Sequence, residues 1–85
     1  MKTFKYVVTD PVGIHARPAG ELSKKAKEYA STIKIAKGDK DAAADRLMAL
    51  MALGIKQGEE VTVTIEGADE DKAYTEMQEY FKANL

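Results

Sequence analysis

Hydrophobic and polar positions along this chain follow two rhythms, and each change of rhythm marks an element. Phe4 to Thr9 is β-branched and aromatic, with Phe4, Tyr6 and Val8 on one face by period two, which predicts a first strand. Asp10-Pro11-Val12-Gly13 breaks it. From about Ala16 to Glu28 the rhythm becomes helical. Ala16, Ala19, Leu22 and Ala26, followed by Tyr29 or Ala30, recur at three- and four-residue steps. Thr32 to Ala36 alternates again, Lys37 to Lys40 reads as a turn, and Asp41 to Ala43 as a weak return strand. A short helix over Arg46 to Ala52 is stopped by Gly54 as a left-handed cap. After a turn at Lys56 to Glu59, Glu60 to Glu66 is the clearest strand, with Val61, Val63 and Ile65 inward. Asp69 is a candidate N-cap for a last helix that runs to about Ala83. Glu70 and Asp71 sit in its first turn, and Ala73, Met77, Tyr80, Phe81 and Leu85 form its buried stripe. The order β-α-β-β-α-β-α predicts an α+β two-layer sandwich in a single domain spanning residues 1–85.

Composition narrows what such a sandwich can do. At 85 residues the chain has room for one modest core, and 45% hydrophobic with 32% charged residues suits a folded domain. No apolar run approaches the ~20 residues of a membrane span, and the first residues read as a strand rather than a signal peptide, so no membrane insertion is expected. Without cysteine there are no disulfides, which favours the cytoplasm. One histidine and no cysteine leave no His- or Cys-based metal site, and no cofactor is expected. A net charge of −1 gives no pull toward nucleic acid.

The candidate chemistry lies in Gly13-Ile14-His15-Ala16-Arg17-Pro18-Ala19, which holds the only histidine. The predicted helix begins here, and a helix N-terminus attracts anions through backbone N–H groups that have no helical partner. Imidazole can accept a phosphoryl group near neutral pH because much of it is unprotonated. The helix end disfavours the imidazolium and later favours the phosphorylated form. Pro18 has no N–H, so Ala16 and Arg17 are the natural amide donors, and the Arg17 guanidinium is a planar fork suited to phosphate oxygens. Without context, a histidine at such a position is an ordinary cap or loop residue, and Arg17 a solvated first-turn arginine that opposes the dipole. Gly20, mid-helix, sacrifices about 1 kcal/mol against alanine, which suggests a close approach to that face. Leu47, Met48, Leu50, Met51 and Leu53 are more apolar residues than one short helix can bury. Leu50 and Leu53 are expected inside, and Leu47, Met48 and Met51 partly exposed, where methionine adapts to several partners.

The histidine motif, the segment Leu47 to Ile55, Gly67-Ala68-Asp69-Glu70 and the element order together resemble HPr, the histidine-containing phosphocarrier family of the bacterial phosphoenolpyruvate-dependent sugar phosphotransferase system. The resemblance runs in register over essentially the whole chain. It implies an open-faced sandwich, a four-stranded antiparallel sheet with three helices on one face. It implies that His15 accepts a phosphoryl group on Nδ1 from phospho-enzyme I and hands it to a sugar-specific enzyme IIA, with Arg17 neutralising the phosphate. Gly20, Lys24 and Lys27 of the first helix, with Leu47, Met48 and Met51 of the second, would form one docking surface. On composition alone the lysines are an ordinary solvated face. A monomer is expected, acting as a carrier rather than an enzyme, since no general base or metal is present and the partners can supply catalysis.

The chain departs from the family pattern at Arg46, where many relatives carry a serine phosphorylated by a regulatory kinase, and at Gly20 and Glu21, which are less apolar than usual. Two other functions compete. One is a regulatory binding protein that docks without relaying phosphate. The other is a carrier in a nitrogen-related or other specialised branch. A small hydrolase is disfavoured because no nucleophile–base arrangement is present.

Overall fold

A buried row crosses the whole sheet: Phe4 of the first strand stands opposite Val63, Val63 opposite Ile35, and Ile35 opposite Ala42. The computed structural model describes residues 1–11, 13, 14 and 16–85. The sequence motif's His15, and Val12 before it, lie outside the described residues. The elements are β1 (Lys2–Val7), α1 (Ala16–Ala26), β2 (Thr32–Lys37), β3 (Lys40–Ala43), α2 (Leu47–Ala52), β4 (Glu60–Glu66) and α3 (Glu70–Asn84). The strand order is β1-β4-β2-β3, with every neighbouring pair antiparallel. The next row, Thr3, Thr64, Lys34 and Ala43, belongs to the other face, as period two requires. The helices pack on the buried side, α3 over β1 and β4 and α1 beside α2, giving the predicted open-faced α+β sandwich.

Several expected boundaries move for local reasons. β1 begins and ends two residues earlier than the β-branched run suggests. The Thr9 and Asp10 amides leave the ladder and bond the Leu85 carbonyl at 2.7 and 2.9 Å. Val8 stays in the core even so. α1 ends at Ala26 rather than Glu28, because the amides of Glu28 and Tyr29 reach back three residues instead of four, tightening the chain into turns. Arg46 is the N-cap of α2 with extended backbone, not its first helical residue, and Gly54 ends that helix with φ 63° as expected.

Two helical faces also differ. Ala16 is exposed, while Pro18 and Ser23 join Ala19, Leu22 and Ala26 inside. At 100° per residue Ala16 falls about 90° from the centre of that buried arc, on the side of Gly20, Lys24 and Lys27. On α3, Ala73, Met77, Phe81 and the following Leu85 are buried, but Tyr80 is only half-buried. Asp69 occupies the N-cap of α3 yet makes no cap bond. Its carboxylate instead accepts the Ala30 and Ser31 amides, each at 2.9 Å, and the Ser31 hydroxyl. Gly67 makes this possible. A Cβ there would lie 2.6 Å from Ser31 Cα, and the φ of 153° is one that side chains avoid.

Candidate functional site

The chain on the N-terminal side of the histidine is held by backbone geometry that only glycine permits. Gly13 has φ 73°, its amide bonds Asp10 O at 3.0 Å, and a Cβ would overlap the Ile55 carbonyl oxygen and come within 2.8 Å of Lys56 Cα. That close approach lets the Ile14 amide bond the Ile55 carbonyl at 3.0 Å while the Ile14 side chain enters the core. On the C-terminal side, Ala16 is the first residue of α1. The position between them is therefore flanked by a pinned strand of loop and a helix N-terminus.

That helix end is electrostatically open. α1 has no acidic residue in its first turn and carries Lys24 and Lys25 in its last. The positive end of its dipole is thus uncompensated by a first-turn side chain. Helix geometry leaves the Ala16 and Arg17 amides without intrahelical acceptors, and Pro18, buried in the first turn, has no N–H. The Arg17 side chain is 81% exposed, with one Nη nitrogen 3.7 Å from a Glu21 carboxylate oxygen. An exposed i,i+4 pair at that distance holds the guanidinium weakly, so it can turn to an incoming anion. Gly20 is half-buried, and among the described residues a Cβ there would meet no atom within 4 Å beyond its own helix backbone and chain neighbours.

α2, which packs against α1, shows an apolar outer surface. Leu47, Met48 and Met51 are 39%, 75% and 38% exposed, while Leu50 and Leu53 are buried beneath. At 100° per residue, positions 47, 48 and 51 share one arc and positions 50 and 53 the opposite one. α1 packs against α2, so the arc bearing Gly20, Lys24 and Lys27 and the arc bearing Leu47, Met48 and Met51 belong to one helical layer turned from the sheet.

The supports of this site carry no periodic signal, and reading the chain as a sequence misses them. Lys37 Nζ donates to the Gly54 carbonyl at 2.9 Å and pairs with Glu59 Oε1 at 3.0 Å. The same oxygen accepts the Lys56 amide at 2.7 Å. The Lys37 hydrogen bond, with the Lys56 amide, holds the Glu59 carboxyl below the usual glutamate range. This bracket stiffens residues 54–59, the segment that receives Ile14. Gln57 Nε2 adds a bond to Thr9 O at 3.1 Å, and the Gly58 amide one to Val8 O at 2.8 Å. Among the described residues no group of three His, Asp or Glu side chains is placed to hold a metal ion. No described helix is long and apolar enough to cross a membrane.

Comparison with known proteins places this geometry in one class. The fold is that of histidine phosphocarriers: the structure of HPr-C-His from Thermoanaerobacter tengcongensis superimposes with a TM-score of 0.93 at 31% identity, covering 99% of this chain and 94% of that one. The catabolite repression containing protein Crh of Bacillus subtilis, described as a dimer with a swapping domain, is 30% identical with a TM-score of 0.77, covering 100% and 98%. Phosphocarrier protein HPr of Lysinibacillus sphaericus is 45% identical over 74 residues, 87% of this chain and 84% of that protein. Residues 2–83 match the PTS-HPr family, described as the PTS HPr component phosphorylation site. The chain belongs to the HPr family of phosphocarriers of the phosphotransferase system.

Proposed function

We propose that this chain is a stoichiometric phosphoryl carrier of the cytoplasm that works as a monomer. His15 Nδ1 takes the phosphoryl group from phospho-enzyme I and passes it to a sugar-specific enzyme IIA. The observation that carries this reading is the position of the only histidine: directly before Ala16, where α1 opens with no first-turn acid to oppose an anion. The Ala16 and Arg17 amides and the exposed Arg17 guanidinium cradle the phosphate. The same dipole disfavours the imidazolium before transfer and stabilises the anion after it, so the group is gained and lost without a deep trap. The partners bring the catalytic groups. They dock on the layer formed by Gly20, Lys24, Lys27, Leu47, Met48 and Met51.

The test is to mix the chain with enzyme I and phosphoenolpyruvate. One acid-labile, alkali-stable phosphate per molecule is expected, absent from His15→Ala. Label surviving that substitution overturns the mechanism. At Arg46 the family's regulatory serine is replaced by a group that cannot take its phosphate. Incubation with the regulatory kinase and ATP is expected to leave no acid-stable label on α2 or its flanks.

A second reading, a regulatory protein that docks without relaying phosphate, is favoured by the whole-chain likeness to Crh. It predicts no histidine phosphate and a dimer by light scattering. A carrier in a nitrogen-related branch instead predicts the same phosphate but preferential transfer to that branch's enzyme IIA.

A further inference from the structure

The four methionines of this chain occupy very different surroundings, and one of them lies where a change of polarity would matter. Met77, on the inner face of α3, is fully buried, while Met48 and Met1 are 75% and 74% exposed. Met51 is intermediate at 38%. Met1 and Met48 are thus equally open to solvent, but only Met48 stands in the apolar arc of α2.

We propose that Met48 is a modification site: reversible oxidation to the sulfoxide by a peroxide weakens docking of the phosphotransferase partner. The inference rests on the docking surface proposed above. In the step itself the thioether sulfur attacks one peroxide oxygen. The O–O bond breaks as the S–O bond forms, and the departing hydroxide takes the proton from the transferred oxygen and leaves as water; sulfur is oxidised by two electrons and the peroxide reduced by two. Exposure decides access, which favours Met48 over Met51 and shields Met77. The product replaces a soft apolar side chain with a polar one bearing a strong acceptor oxygen. On a surface whose neighbours are Leu47 and Met51, that oxygen is buried against the partner without a donor, or the partner does not close. The fold loses nothing, because Leu50 and Leu53 hold α2 from below.

The experiment treats the folded chain with limiting hydrogen peroxide, maps sulfoxide by peptide mass, and titrates enzyme I calorimetrically. Met1 and Met48 should oxidise first and together, Met51 later and Met77 last. The Kd should rise roughly tenfold, near the lower end for leaving one polar oxygen unpaired in an interface. Methionine sulfoxide reductase with a thiol reductant should restore it. At a peroxide dose that oxidises Met1 and Met48 of the parent but not Met51, and whatever its own starting affinity, Met48→Leu should show a treated-to-untreated Kd ratio near one, although Met1 still oxidises. An equal rise in Met48→Leu, or no rise in the parent, overturns the proposal. Binding is read separately from phosphate loading. Normal docking with no phosphate on His15 overturns the carrier reading alone, whereas no docking by the unoxidised chain overturns the surface and this inference together.

Discussion

Met77 on α3 and Met48 on α2 are the same side chain in opposite surroundings, and the difference extends to the helices that bear them. α3 has 15 residues and sends Ala73, Met77 and Phe81 into the core. Phe81 meets Phe4 and Tyr6 edge-to-face, with ring centroids 5.6 and 5.5 Å apart. α2 has six residues, of which Leu50 alone is buried, and three large apolar side chains face outward. A helix this short has no stability of its own. It persists because Leu50 and Leu53 anchor its underside, which frees its upper side from any part in folding. In α3 the large apolar residues build the core; in α2 three of them stay on the surface, where the proposed docking face lies.

The largest expected effects lie on the α3 side of this contrast. Phe81→Ala should lower unfolding free energy by about 3–5 kcal/mol, the usual range for truncating a buried phenylalanine, and Met77→Ala by about 2–5 kcal/mol. Against the ~5–15 kcal/mol that natural domains possess, either leaves a marginal fold. Urea unfolding followed by circular dichroism measures both. Met48→Ala should shift stability by no more than about 0.5 kcal/mol, as for an exposed site, while raising the Kd for enzyme I roughly tenfold. If Met48→Ala unfolds the chain as readily as Met77→Ala, the outer face of α2 takes part in folding and the contrast between the two helices fails.

The same contrast decides how much of the structure is legible in the sequence. α3, β4 and the core row around Val63 are long or strictly alternating, so periodicity finds them and their buried members. The excess of apolar residues on α2 was legible too, since a single turn-and-a-half cannot bury five. The placement of Ala16 outside the core was not. It lies three residues before Ala19, a spacing that looks right until the true centre of the arc, pulled round by Pro18 and Ser23, is known. The carboxylate of Asp69 and the ammonium of Lys37 were illegible for another reason. Their partners, Ser31 and Gly54, are 38 and 17 positions away and meet them only once the strands have paired. Gly13 sits between these cases. A glycine before a helix suggests a turn, but its need to touch Ile55 depends on a loop from the other half of the chain.

The starts of the two helices offer the smallest test of the contrast, and the most specific. α2 begins at Arg46 with no side-chain cap bond, whereas α3 begins at Asp69, whose carboxylate ties it to the loop after α1. The Ser31 hydroxyl, with the Ala30 and Ser31 amides, holds the Asp69 carboxyl below its ordinary value of 3.8. A depressed folded value means that ionised Asp69 favours the folded chain. Its contribution is fully present above the ordinary value and is lost as pH falls through the lower folded one. Asp69→Asn keeps the shape but sets an NH2 donor against one of these donors. The variant should therefore unfold at lower urea than the parent at pH 7, and the gap should close as pH falls below 3.8, when the parent's own carboxyl takes up a proton. Arg46→Ala, at the uncapped start of α2, should give a pH-independent difference near zero. A gap in Asp69→Asn that stays constant from pH 7 to pH 2 would mean that Asp69 holds α3 by shape and not by charge.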